Sequence, residues 1–349
     1  MLDLSAVRSA LSEIYDLTPS PALAASMNDT YCRMSRVVSP PDWAIYAPYV
    51  RATNQLKKER NAVILGHNYM TPEIFHGVAD FVGDSLQLAI KATEVKADVI
   101  VQCGVHFMAE TSKILSPEKT VLMPDMEAGC SLAESITAEG VAQMRAKYPG
   151  APVVSYVNTT AEVKAASDIC CTSANALQIV EAQDSDTVIM TPDKYLAQNV
   201  ANQSTKKVVW WNGSCIVHEL YTVADLRAYR EHAPESKIIA HPECTPDVVA
   251  EADYTGSTSG IVNWLKQSNA EQVMLVTECS MASNIADELP QVEFAKPCNI
   301  CPYMKKITLE KILYVLHTMT NQVEVDEAIA RDARKSVMRM INLSRQLDI

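Results

Sequence analysis

Asn61–Glu73 reads N-A-V-I-L-G-H-N-Y-M-T-P-E, an apolar run rich in branched side chains, then a polar cluster, then Thr-Pro-Glu. It describes a strand running into a helix start. Thr suits the N-cap, Pro the first helical position and an acid the first turn, where unpaired N–H groups and the helix dipole favour them. The same order returns at Pro152 as P-V-V-S-Y-V-N-T-T-A-E and at Ser236 as S-K-I-I-A-H-P-E-C-T-P-D. Thr71, Thr160 and Thr245 stand 89 and 85 residues apart, so the chain carries an internal repeat.

Working outward, each segment leads to an aligned aspartate in A-D-F-V-G-D-S, S-D-I-C-C-T-S and A-D-Y-T-G-S-T-S, with Asp80, Asp168 and Asp253 followed five residues later by Ser85, Ser173 and Thr258. Second strands are predicted at Asp98–Val101, Thr187–Met190 and Gln272–Val276, and third strands at T-V-L-M-P, K-V-V-W-W and V-E-F-A-K. The third strands run out at Cys130, Cys215 and Cys301, spaced by 85 and 86 residues. Each repeat therefore reads β-α-β-α-β, the alternation of a parallel sheet covered by helices.

The expected fold is α/β: three pseudo-threefold-related, three-layer αβα domains whose parallel sheets surround a central active-site cavity, because such sheets bind ligands at their carboxyl edges. Residues 1–132 form the first domain with an N-terminal helical segment, 133–216 the second and 217–304 the third. Two segments of helical period within 305–349 are expected to complete the first domain.

Composition narrows the function. The chain has 349 residues, 48% of them apolar, enough for more than one core. A formal net charge of −12 argues against nucleic acid and anionic membrane as partners. The N-terminus lacks signal-peptide order and no apolar run is long enough to span a bilayer, which points to a soluble, cytoplasmic protein. Ten cysteines in such a chain are not a disulfide framework, and Cys32, Cys103, Cys170, Cys171, Cys244 and Cys279 are expected as small core residues.

Cys130, Cys215 and Cys301, by contrast, share one repeat position at a loop mouth, which favours ligation of one metal site. Thiolates suit zinc, for which Cys298 in C-x-x-C could be a fourth ligand, or a 4Fe-4S cluster, which three cysteines would leave with one open iron as Lewis acid. His67, Tyr156 and His241 occupy equivalent positions, followed by Asn68-Tyr69, Val157-Asn158 and Pro242-Glu243, and His218 lies beyond Cys215. These supply the imidazole, phenol and carboxylate groups of acid–base chemistry.

The motifs G-H-N-Y-M-T-P-E, A-D-F-V-G-D-S-L, F-M-A-E-T-S-K-I-L-S-P-E-K, Y-V-N-T-T-A-E-V-K-A, C-T-S-A-N-A, W-N-G-S-C-I-V-H-E, A-H-P-E-C, G-S-T-S-G and C-P-Y-M, spread over Asn61–Lys306, resemble those of the quinolinate synthase (NadA) family. The resemblance implies condensation of iminoaspartate with dihydroxyacetone phosphate to quinolinate, with loss of phosphate and two waters, in NAD biosynthesis. It implies one 4Fe-4S cluster on Cys130, Cys215 and Cys301, and catalytic roles for Tyr69, Tyr156, His218 and Glu243. Substrate contacts carry over to His67, Ser85, Tyr156, Asn158, Ser173, His241, Glu243, Ser257 and Thr258. Coupling to an L-aspartate oxidase or dehydrogenase would supply the unstable iminoaspartate. One departure is that only Cys298 precedes Cys301, where some members have C-x-x-C-x-x-C. The rival readings are a zinc-dependent lyase or aldolase-type enzyme of the same architecture and a non-enzymatic repeat protein.

Overall fold

A computed structural model describes residues 3–295 and 297–347. It contains three four-stranded sheets, and every strand pairing within them is parallel. The first holds β1 (Ala62–His67), β2 (Phe81–Gly83), β3 (Val99–Cys103) and β4 (Thr120–Leu122) in the order 2-1-3-4. The second holds β5 (Val153–Tyr156), β6 (Ile169–Cys171), β7 (Thr187–Thr191) and β8 (Lys207–Trp210) in the order 6-5-7-8. The third holds β9 (Lys237–Ala240), β10 (Tyr254–Thr255), β11 (Gln272–Val276) and β12 (Glu293–Ala295) in the order 10-9-11-12. Chain order reverses direction beside the first strand of each sheet, so each sheet has a topological switch point at that strand's carboxyl end.

The short strands β2, β6 and β10 were absent from the predicted repeat, which is thus β-α-β-α-β-α-β. They span only two or three residues, too few for alternation to register. The aligned aspartates put them in register. Asp80, Asp168 and Asp253 donate their N–H to Ile64 O, Val153 O and Ile238 O. Their carboxylates accept the N–H of those same residues at 2.8, 2.7 and 2.8 Å. Lys57, Arg145 and Arg230, each 23 residues upstream, complete the staple at 2.8, 2.8 and 3.1 Å.

Burial pushes the Asp253 carboxyl up, but the Ile238 N–H and the Arg230 guanidinium outweigh it and hold the group below the usual carboxylate range. The stability it contributes is present above about pH 4, the unfolded value, and is lost as pH falls through the lower folded value. Asp253→Ala is expected to cost about 1–3 kcal/mol. A thermal melt at neutral pH checks this, with the parent–variant gap narrowing in acid; a gap that is absent at neutral pH refutes the staple.

The predicted helix starts are in place: Thr71, Thr160 and Thr245 precede the helices Pro72–Phe75, Ala161–Ala166 and Pro246–Glu251. By contact density the chain forms two compact units. One comprises Met1–Ala128, Cys279–Pro290 and Ile300–Glu324; the other Gly129–Glu278, Gln291–Asn299 and Val325–Ile349. The first unit contains the first sheet, and the second contains the other two sheets.

The C-terminal helices divide between the units. Helix Leu309–Thr318 packs on Pro40–Glu59 and Leu4–Ser12 in the first unit. Helix Glu327–Leu347 instead packs on Ala161–Ala166 and β6 in the second, correcting its assignment to the first domain. Its buried stripe of Ala333, Ser336, Val337, Met340, Ile341 and Ser344 explains the choice. The hydroxyls on that stripe need partners, and Ser336 finds Lys164 O at 2.7 Å while Ser344 accepts from Asn175 Nδ2 at 2.8 Å. Among the described residues no helix is long and apolar enough to cross a membrane.

Candidate active site

The switch points carry the predicted polar residues. In the second unit β5 ends on Tyr156, and β9 runs directly into His241-Pro242-Glu243. Tyr156 Oη donates to Glu243 Oε1 at 2.6 Å, and His218 Nδ1 lies 2.8 Å from Glu243 Oε2. Because a carboxylate only accepts, His218 Nδ1 is the donor there. His218 Nε2 meets Thr277 Oγ1 at 3.0 Å, and the His218 ring stacks on that of His241 at 4.6 Å between centroids. Glu243 N donates to His241 Nδ1 at 3.3 Å, which leaves the proton of a neutral His241 on Nε2. All four side chains are buried.

Burial alone would raise the Glu243 carboxyl, yet the charges of His218 and His241 and the bonds from His218 and Tyr156 hold it well below the usual range. It therefore sits as a carboxylate at the centre of a hydrogen-bonded chain. The chain continues toward sulfur, since Cys215 Sγ lies 3.2 Å from His218 Nδ1. Cys215, His218 and Glu243 present ligand atoms within 4.8 Å of one another.

Cys130 precedes the turn Ser131–Glu134, and Ser131 joins it to the Cys215 loop. The Ser131 hydroxyl donates to Ser214 O and accepts from Ile216 N, each at 3.2 Å, taking the residues on both sides of Cys215. Burial raises the Cys215 thiol well above its ordinary value, and Glu243 and Cys130 raise it further. A thiol raised in this way keeps its proton when free and gives it up when a cation neutralises it, so Cys215 fits a metal–thiolate group. Cys301 is half-buried like the other two, and lies in the first unit.

Of the cysteines expected in the core, Cys103, Cys170, Cys171 and Cys244 are buried, whereas Cys32 is exposed and Cys279 half-buried. Neither Cys279 nor Cys298 is a free thiol.

The first unit repeats the local geometry of the second. His67 ends β1, Tyr69 N donates to His67 Nδ1 at 3.2 Å, and the two rings meet edge to face at 4.7 Å. Lys305 Nζ donates to Tyr69 O at 2.9 Å. At the equivalent position in the second repeat, Asn158 Oδ1 is enclosed and has no hydrogen-bond partner among the described residues. An enclosed acceptor without a partner is a place where a ligand donor fits.

The aligned hydroxyls are only partly equivalent. Ser85 and Thr258 each open a ten-residue helix, capped by Asp84 and Ser257. Ser173 instead sits three residues before its helix, whose N-cap residue Asn175 makes no side-chain capping bond. Ser257 Oγ accepts from Gly260 N at 3.1 Å and keeps its own proton available. Ser173 and Ser257 line one cleft of about 290 Å³ with Leu196, Asn199, Pro242 and Tyr254.

Two residues at this site had no sequence signal. Thr277 holds His218 from 59 residues away. Asp193 is buried, its Oδ1 capping a helix through Tyr195 N and Leu196 N and its Oδ2 without a partner among the described residues. Burial, and after it Glu243, push that carboxyl well above the usual carboxylate range.

The family model described as quinolinate synthetase A protein matches residues 51–342, more than the motifs alone cover. The quinolinate synthase of Sinorhizobium medicae is 58% identical over 341 residues, which is 98% of this chain and 95% of that protein. Those of Agrobacterium fabrum and Caulobacter vibrioides are 55% and 50% identical, covering 92% and 93% of this chain and 92% and 89% of their own length. The zinc-dependent lyase reading finds no support among these relatives.

Proposed function

The chain belongs to the quinolinate synthetase A family, and on that premise we propose that it is a quinolinate synthase, condensing iminoaspartate with dihydroxyacetone phosphate and releasing phosphate and two waters. The observation that carries the reading is the buried chain Tyr156–Glu243–His218 ending beside the Cys215 sulfur. It brings acid–base groups and a thiolate donor together in a family of this activity.

The cofactor in this proposal is one 4Fe-4S cluster with Cys130, Cys215 and Cys301 as its ligands, an assignment supported by their nearly equal spacing and by the Ser131 link between the first two loops. When bound, the cluster supplies an open iron, a Lewis acid for a substrate oxygen or nitrogen. The remaining work falls to protein groups. Forming the carbon–carbon and carbon–nitrogen bonds and expelling two waters requires protons to be taken from carbon and nitrogen and delivered to leaving oxygens. Glu243, hydrogen-bonded to Tyr156 Oη and His218 Nδ1, links these three groups into the path along which such protons pass. His218 Nδ1 donates to this carboxylate, and the backbone N–H groups of Tyr69 and Glu243 orient the His67 and His241 rings through Nδ1.

Both substrates are anions, and the protein's net charge is −12, so capture depends on local donors. Ser85 and Thr258 at helix starts, Ser173 and Ser257 in the cleft and Asn158 supply them. Alanine at Ser85, Ser173 or Thr258 is expected to raise the KM for one substrate roughly tenfold or more, since a hydrogen bond to a charged group is worth about 1.5–3 kcal/mol, with the cluster spectrum unchanged. Parent-like KM values for both substrates in all three variants would remove them from the site.

The enzyme is assigned to the cytoplasm, with its imine substrate delivered by an L-aspartate oxidase or dehydrogenase. The deciding experiment is anaerobic purification followed by iron and sulfide analysis and a quinolinate assay with imine generated in place. A colourless protein holding stoichiometric zinc and making no quinolinate would refute the proposal.

A further inference from the structure

The helices that follow β7 and β11, Lys194–Ala201 and Ser280–Ile285, carry asparagines at equivalent positions, Asn199 and Asn284, 85 residues apart. Both side chains are buried, 3% and 1% exposed. Asn199 Nδ2 donates to Pro242 O and Cys244 O, each at 2.9 Å. Asn284 Nδ2 donates to Asn68 O at 2.9 Å and Met70 O at 2.7 Å. One amide thus takes the carbonyl before and the carbonyl after a single residue, which is Glu243 in one unit and Tyr69 in the other. Those two residues occupy the same repeat position, and the N–H of each is already held by the histidine two residues earlier.

The amide orientation is dictated, because an oxygen in place of Nδ2 would face two carbonyl oxygens. Neither asparagine is mere filler. Asn284 Oδ1 is enclosed with no partner among the described residues, a penalty that an apolar side chain would avoid. The first repeat puts Thr111 at this position, and its hydroxyl bonds Phe107 O of its own helix. The device is confined to the loops that carry Glu243 and Tyr69.

We propose that Asn199 and Asn284 are positioning residues, each clamping the backbone on both sides of one acid–base side chain and so fixing the aim of the Glu243 carboxylate and the Tyr69 phenol. The kinetic part of this inference rests on the quinolinate synthase reading. Asn199→Leu and Asn284→Leu keep the volume and remove both donors. In the cluster-loaded enzyme each is expected to lower kcat at least tenfold with KM changed less than threefold and the visible spectrum retained. Since each clamp acts through one side chain, Asn199→Leu should cost less than twofold more in a Glu243→Gln background but its full factor in a Tyr69→Phe background. Asn284→Leu should show the reverse pattern. Losses that multiply in every background, or parent-like kcat in both single variants, would overturn the proposal.

Asn→Ser variants replace the leucines if those fail to fold. Hydrogen exchange gives a readout free of turnover: Asn199→Leu should deprotect residues 241–245 and not 67–71, and Asn284→Leu the opposite. Unchanged exchange in both loops also refutes the clamp. A parent protein that makes no quinolinate would sink the functional reading, and the exchange pattern would still decide the clamp.

Discussion

Cys215→Ala is expected to yield a folded protein without iron or sulfide and without quinolinate synthesis, and Cys130→Ala and Cys301→Ala should do the same. The physical reason is clearest at Cys215. Burial, Glu243 and Cys130 all push its thiol up, so a thiolate persists there only opposite a cation. Removing one of three thiolates leaves a cluster with two open corners exposed to hydrolysis, and the loss should be complete. Cys103 is the control. It ends β3, is buried, and burial holds its thiol protonated, with no neighbouring cysteine at its repeat position in the other sheets. Cys103→Ala should keep full iron and sulfide content and lose at most modest stability. A full cluster in Cys215→Ala would sink the ligand assignment outright.

The repeat was legible because chemistry recurs at fixed offsets. A strand, a Thr N-cap, an aspartate and a cysteine return about every 85 residues, and each has a local physical cause. What the sequence does not display is pairing across repeats. Tyr156 and Glu243 are 87 residues apart and sit at non-equivalent positions, so their 2.6 Å bond follows only from how the second and third sheets present their edges within one unit. The same holds for Thr277 and His218. Strands β2, β6 and β10 escaped for a different reason, being set by the aspartate staples rather than by apolar patterning. The last helix was misassigned because its apolar stripe fits any sheet, whereas the partners of Ser336 and Ser344, which decide the matter, come from the second repeat.

Glu243→Gln and Tyr156→Phe are expected to keep fold and cluster while lowering kcat by about 10²–10⁴, the range for a lost general acid or base. Each substitution is nearly isosteric, so packing survives, and each removes a proton site. Glutamine cannot accept a proton at neutral pH, and it deprives His218 of the carboxylate 2.8 Å away. Phenylalanine leaves Glu243 Oε1 short of its donor in a buried setting, which should cost about 1–3 kcal/mol of stability, visible as a small drop in melting temperature. The two residues share one hydrogen bond and one proton path, so their effects should not multiply. The double variant is expected to turn over within about threefold of the slower single one, as groups that act as a unit do. Independent factors in the double variant would mean that Tyr156 and Glu243 serve different steps. Near-parent turnover in both singles would remove the pair from the chemistry and leave their bond a packing contact.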